Sequence, residues 1–68
     1  MKLSARNLLA GTVVAITNGE AIANVELDVA GQRVVASITV EAVQELGLQA
    51  GTEVVAVIKA SDVIIGIS

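Results

Sequence analysis

The chain has 68 residues, with no His, Cys, Pro, Trp, Tyr or Phe, and seven acidic against four basic side chains, for a formal charge of −3. That length holds one small domain, residues 1–68, and the missing Cys and His remove disulfides, thiolate and imidazole metal sites, haem ligation and the commonest nucleophile–base pairs. An acidic balance without aromatic rings also argues against nucleic acid, which is held by clustered Lys and Arg and by stacking platforms.

The sequence is 54% hydrophobic and 16% charged, a balance that folds rather than staying disordered. A chain this short leaves much of its surface exposed and is marginal without a supplement. With disulfides and metal gone, association with copies of itself is what remains. No apolar run approaches the ~18 residues of a membrane span, and Arg6 interrupts the place where an export signal keeps its apolar stretch. The expectation is a cytoplasmic domain with neither a membrane nor a nucleic acid as partner.

In chain order, residues 8–17 are rich in Val, Ile and Thr and end at Asn18-Gly19, a turn signal. Residues 21–29 follow, with clean alternation in Val25-Glu26-Leu27-Asp28-Val29, the pattern of a half-buried strand. Ala30-Gly31-Gln32-Arg33 carries the Gly of a tight hairpin, and residues 34–40 form a third β-branched run. The period then changes: Val40, Val43 and Leu46 fall at helical spacing, Thr39 stands as N-cap, Glu41 lies in the first turn and Gly47 marks the stop. Two more β-branched runs, 52–59 and 63–67, are separated by Ala60-Ser61-Asp62. The order β-β-β-α-β-β predicts an all-β fold, a small five-stranded OB-like Greek-key barrel with one short helix between strands 3 and 4. Runs such as Val54-Val55-Ala56-Val57-Ile58 are apolar on both strand faces. Only one face can look into a barrel, so the other points to a homo-oligomer.

Catalysis is not expected. Ser and Thr lack a local base motif, no Gly-rich phosphate loop occurs, and the acids fall in solvated patterns. Glu26 and Asp28 share the polar side of a strand, and Glu41 and Glu45 lie one helical turn apart. Two polar clusters interrupt the apolar pattern at strand boundaries: Ser4-Ala5-Arg6-Asn7 and Lys59-Ala60-Ser61-Asp62. Each joins a cation to a hydroxyl. A tetrahedral oxyanion offers only acceptors and needs a shell of donors, which these residues supply. Taken alone, they read more readily as turn formers and solvated charges than as an anion site.

The balance changes with a resemblance. Ser4-Ala5-Arg6-Asn7, Gly11-Thr12-Val13, Ser37-Ile38-Thr39, Leu46-Gly47-Leu48, Gly51-Thr52-Glu53-Val54 and Val57-Ile58-Lys59-Ala60-Ser61-Asp62-Val63 together resemble the molbindins, small molybdate-binding proteins related to TOBE-type domains. The resemblance implies an OB-like barrel, assembly as a hexamer (a trimer of dimers), and capture of molybdate or tungstate at subunit interfaces without a cofactor or catalysis. It places Ser4, Ala5 and Arg6 on one side of the oxyanion, and Thr39, Lys59, Ala60 and Ser61 on another, contributed by a neighbouring subunit. Asn7 belongs to the first motif but serves the strand rather than the ligand. Ala42 stands where some relatives carry a hydroxyl, so a donor from that turn would be backbone. Thr39 keeps two readings, ligand and plain helix cap. The role implied is intracellular storage and homeostasis of the anion. The alternatives are a molybdate-responsive regulatory module and a structural module that merely self-assembles.

Overall fold

A computed structural model describes all 68 residues. Four strands, one helix and one 3-10 turn follow in order: β1 (Asn7–Asn18), β2 (Ile22–Val29), β3 (Gln32–Thr39), α1 (Val40–Leu46), β4 (Glu53–Ile58) and the turn Ala60–Asp62. The strands form one antiparallel sheet in the order β3-β2-β1-β4.

β1 is long because it serves two partners. Its first half pairs with β4, from Asn7–Ile58 to Thr12–Glu53, and its second half pairs with β2, from Thr12–Asp28 to Asn18–Ala23. A register shift between Val13 and Ala15 marks the change, and such a bulge bends a strand and sharpens its twist. Gly11 lies at this crossing. A Cβ there would stand 2.8 Å from the Asp28 carbonyl oxygen and 2.9 Å from a Val29 methyl, so only glycine lets the end of β2 approach so closely.

β2 and β3 meet in a two-residue turn at Ala30 and Gly31, both with positive φ (50° and 84°), between the paired residues Val29 and Gln32. Their alternation then sorts the side chains. Ala23, Val25 and Leu27 are buried, while Asn24 and Ser37 hydrogen-bond on the outer face. α1 closes the inner face. Its start is fixed by Thr39, whose Oγ1 accepts from the Ala42 N–H at 3.0 Å. Its end is fixed by Gly47 in the left-handed conformation, with Gly47 N–H donating to Gln44 and Leu48 N–H to Val43. That double bond is the Schellman arrangement, and it folds Leu48 back against the core beside Val43.

The fully buried core is small: Val13, Ala23, Val25, Leu27 and Val43, with a half-buried ring that includes Ile16, Val34, Ile38 and Val54. The expected fifth strand is not formed. Residues 63–67 have no strand partner, and Ile64, Ile65 and Ile67 are 93%, 83% and 98% exposed. The reason is geometric. The 3-10 turn at Ala60–Asp62 redirects the chain, and Val63 N–H donates only locally, to Ala60. The sheet therefore stays open between its edges β3 and β4. An apolar groove of about 450 Å³ lies there, lined by residues such as Val34, Ala36, Ile38, Val54 and Ile58.

Candidate functional site

The β1–β4 ladder ends at the pair Asn7–Ile58. Immediately beyond it lie Ser4, Ala5 and Arg6 on one strand, and Lys59 followed by the Ala60–Asp62 turn on the other. Two segments more than fifty residues apart in the chain thus share one corner of the sheet. Six of the seven expected site residues therefore flank the same end of this ladder within a single chain: Ser4, Ala5, Arg6, Lys59, Ala60 and Ser61.

Charge at this corner is unbalanced. The chain's one ion pair joins Arg33 to Glu26 on the outer face of β2 and β3. Arg6 and Lys59 have no carboxylate within salt-bridge distance and are exposed. Asp62, in the turn itself, is the acidic neighbour in sequence and leaves Lys59 unpaired. Backbone bonds hold the turn: Asp62 N–H donates to the Lys59 carbonyl at 2.9 Å and Val63 N–H to Ala60 at 3.2 Å. The hydroxyl of Ser61 stands exposed on this turn and that of Ser4 beside the start of β1. Arginine brings a planar fork of donors and lysine a compact charge with rotatable ones, so the corner offers donors to an acceptor-only ligand.

The surroundings are apolar. Strand alternation puts Leu8 opposite Val57 and Ala10 opposite Val55 on the outer face. Leu8, Val57 and Val55 are 48%, 45% and 46% exposed. The cationic corner therefore lies at the rim of a hydrocarbon surface.

Thr39 is elsewhere. It pairs with Ile22, beside the Asn18–Ala23 pair, so it sits the length of β1 away from Arg6. Its oxygen is occupied as the α1 cap, which leaves the hydroxyl hydrogen available. The Ala42 N–H is spent on that cap, so Ala42 itself has no backbone donor left for a ligand. Sequence reasoning gave Asn7 to the strand but not its partner: the carboxamide donates to the Ile58 carbonyl at 3.1 Å. It also missed that a Leu8–Val57 patch flanks the cations. Both follow from the β1–β4 register, which periodicity in either segment alone does not give. No three His, Cys, Asp or Glu side chains come together as a group able to hold a metal ion. No helix is long and apolar enough to cross a membrane.

The profile of the TOBE domain family matches residues 3–65, nearly the whole chain. The chain belongs to the TOBE family. This TOBE domain is 47% identical over 68 residues to a probable molybdenum-pterin-binding protein of Haemophilus influenzae, covering 98% of the chain and 99% of that relative. Its fold superposes on a molybdate-binding protein from Sporomusa ovata with a TM-score of 0.94 at 37% identity, over 98% of this TOBE domain and 100% of the other chain. The same comparison with ModG, a cytoplasmic molybdate-binding protein solved with molybdate bound, gives 0.86 at 46% identity, over 88% of this chain and 43% of that one. These likenesses agree with the molbindin resemblance of its motifs. The shared fold is OB-like, and here it takes the form of a mostly β sheet with one short helix.

Proposed function

We propose that this TOBE domain captures molybdate, or the near-isosteric tungstate, reversibly and without chemistry, in the cytoplasm, as a store that buffers the anion. The observation that carries the reading is the corner where unpaired Arg6 and Lys59 stand together with Ser4 and Ser61 at the end of β1 and β4. A dianion is costly to remove from water unless donors surround it and cations neutralise it. One corner supplies half of such a shell. A second chain, pressed against the apolar surface of Leu8, Val55 and Val57, supplies the rest, and its Thr39 hydroxyl is the donor that the first chain holds too far away. Selectivity over sulfate then comes from cavity size, since both ions present the same acceptors. Phosphate is disfavoured because it usually carries a proton that needs an acceptor.

Assembly belongs to the same reading. The tail, residues 63–67, and the groove between β3 and β4 are apolar surfaces without partners in the chain that bears them. Burying one Ile side chain gains roughly 1.5–3 kcal/mol. A tail from a second copy, laid into that groove, makes the fifth strand and closes the barrel. A hexamer built as a trimer of dimers satisfies these surfaces and places sites between chains. The Haemophilus and Sporomusa relatives are matched over 99% and 100% of their own lengths and carry molybdenum-pterin-binding and molybdate-binding names, which supports a binding role for the domain itself.

Titration calorimetry tests the function. Molybdate is expected to bind far more tightly than sulfate; equal affinities would remove the selectivity. Arg6→Ala and Lys59→Ala are each expected to cost at least tenfold in molybdate affinity, the scale of a lost charge-assisted hydrogen bond. Arg33→Ala, already paired with Glu26, is expected to cost little, and the reverse order contradicts the site.

A further inference from the structure

The carboxamide of Asn7 donates from Nδ2 to the carbonyl oxygen of Ile58 at 3.1 Å, across 51 positions of sequence. Asn7 and Ile58 are the last registered pair of the β1–β4 ladder, and both are half-buried. One step further out stand Arg6 and Lys59. Terminal pairs of a ladder open most readily, because they have a neighbour on one side only. If this pair opens, the two cations lose their fixed separation. A site for a small rigid anion needs its groups held to about 0.5 Å, and side chains behind the ligand shell provide that hold.

We propose that Asn7 is a positioning residue, whose side chain bolts the end of β1 to the end of β4 and so sets the spacing of Arg6 and Lys59 before the anion arrives. The inference rests on the site placed at this corner under the proposed function. Asparagine suits the task chemically. Its amide donates to a carbonyl and carries no charge, so it repels neither the oxyanion nor the cations. Aspartate would set acceptor against acceptor, and leucine would keep the volume but lose the bond.

The test compares the 68-residue chain with its Asn7→Leu, Asn7→Asp, Arg6→Ala and Lys59→Ala variants, using molybdate as the probe. Asn7→Leu is expected to weaken molybdate binding about tenfold, the scale of one hydrogen bond, and to lower Tm by a few degrees while leaving the protein folded. In the ligand-free variant, amide exchange is expected to quicken at residues 6–8 and 57–59 and nowhere else. Asn7→Asp, whose ionised carboxylate sets acceptor against the Ile58 carbonyl, is expected to weaken molybdate binding at least as much as Asn7→Leu and to quicken exchange at the same residues. The proposal is overturned if Asn7→Leu binds within about twofold of the parent while the Arg6 and Lys59 variants lose binding. It is equally overturned if Asn7→Leu weakens binding with exchange in the free protein unchanged, which is the mark of direct anion contact. Parent-like affinity in Asn7→Asp, or parent-like exchange at residues 6–8 and 57–59 in it, also overturns the proposal, and this arm decides the matter if Asn7→Leu does not fold. Parent-like affinity in both Arg6→Ala and Lys59→Ala instead removes the site, and the positioning role with it.

Discussion

Ala30 occupies the left-handed region at φ 50°, the one non-glycine residue of the chain to do so. Its Cβ crowds the following carbonyl there, at a cost of roughly 1–2 kcal/mol relative to a residue suited to that region. The turn it shares with Gly31 needs positive φ at both central positions, for which Asn-Gly is the preferred pair. Ala30→Asn is therefore expected to stabilise the protein by about 0.5–1 kcal/mol in denaturant unfolding, with molybdate affinity unchanged because the turn lies outside the proposed site. A loss of stability would show that the β2–β3 turn differs from the geometry described. At this scale the sequence is only half transparent. Gly31 announces the hairpin, yet the need for positive φ at the alanine before it emerges only once Val29 and Gln32 are known to pair.

At the scale of elements, α1 separates two roles that Thr39 combines. As cap, it supplies an oxygen to the Ala42 N–H; as proposed ligand, it supplies a hydroxyl hydrogen to an anion held mainly by another chain. Thr39→Asp keeps the capping acceptor and favours the helix start, so Tm is expected to stay near the parent value. The new carboxylate faces a dianion, and calorimetry is expected to find molybdate binding lost by at least tenfold. Retained affinity would leave Thr39 a cap alone. The elements themselves were largely legible. The alternation of residues 25–29 marks β2, and the spacing of Val40, Val43 and Leu46 between Thr39 and Gly47 marks α1, because the residue pattern and the local hydrogen bonds express the same geometry. The run 63–67 forms no strand within the single chain for the opposite reason. Its β-branched residues suit a strand, but a strand exists only against a partner, and the chain offers none on its own side of the Ala60–Asp62 turn. The candidate corner is legible in its residue types and not in its arrangement, since residues 4–6 and 59–61 reach one end of the sheet only through the β1–β4 register.

At the scale of the whole molecule, five fully buried side chains in 68 residues make a thin core, while long apolar side chains line the tail, the open groove and the outer face of β1 and β4. A copy ending at Asp62 is expected to populate smaller species in native mass spectrometry than the parent and to melt earlier, with the parent's Tm rising with protein concentration. A concentration-independent Tm and an unchanged mass distribution would place the tail outside the assembly. Lys59, Ala60 and Ser61, donors in the proposed function, lie directly before that tail, with only Asp62 between. Under that proposal an anion held at residues 59–61 stiffens the base of the arm, so loaded copies are expected to exchange companions more slowly than empty ones when labelled and unlabelled protein are mixed.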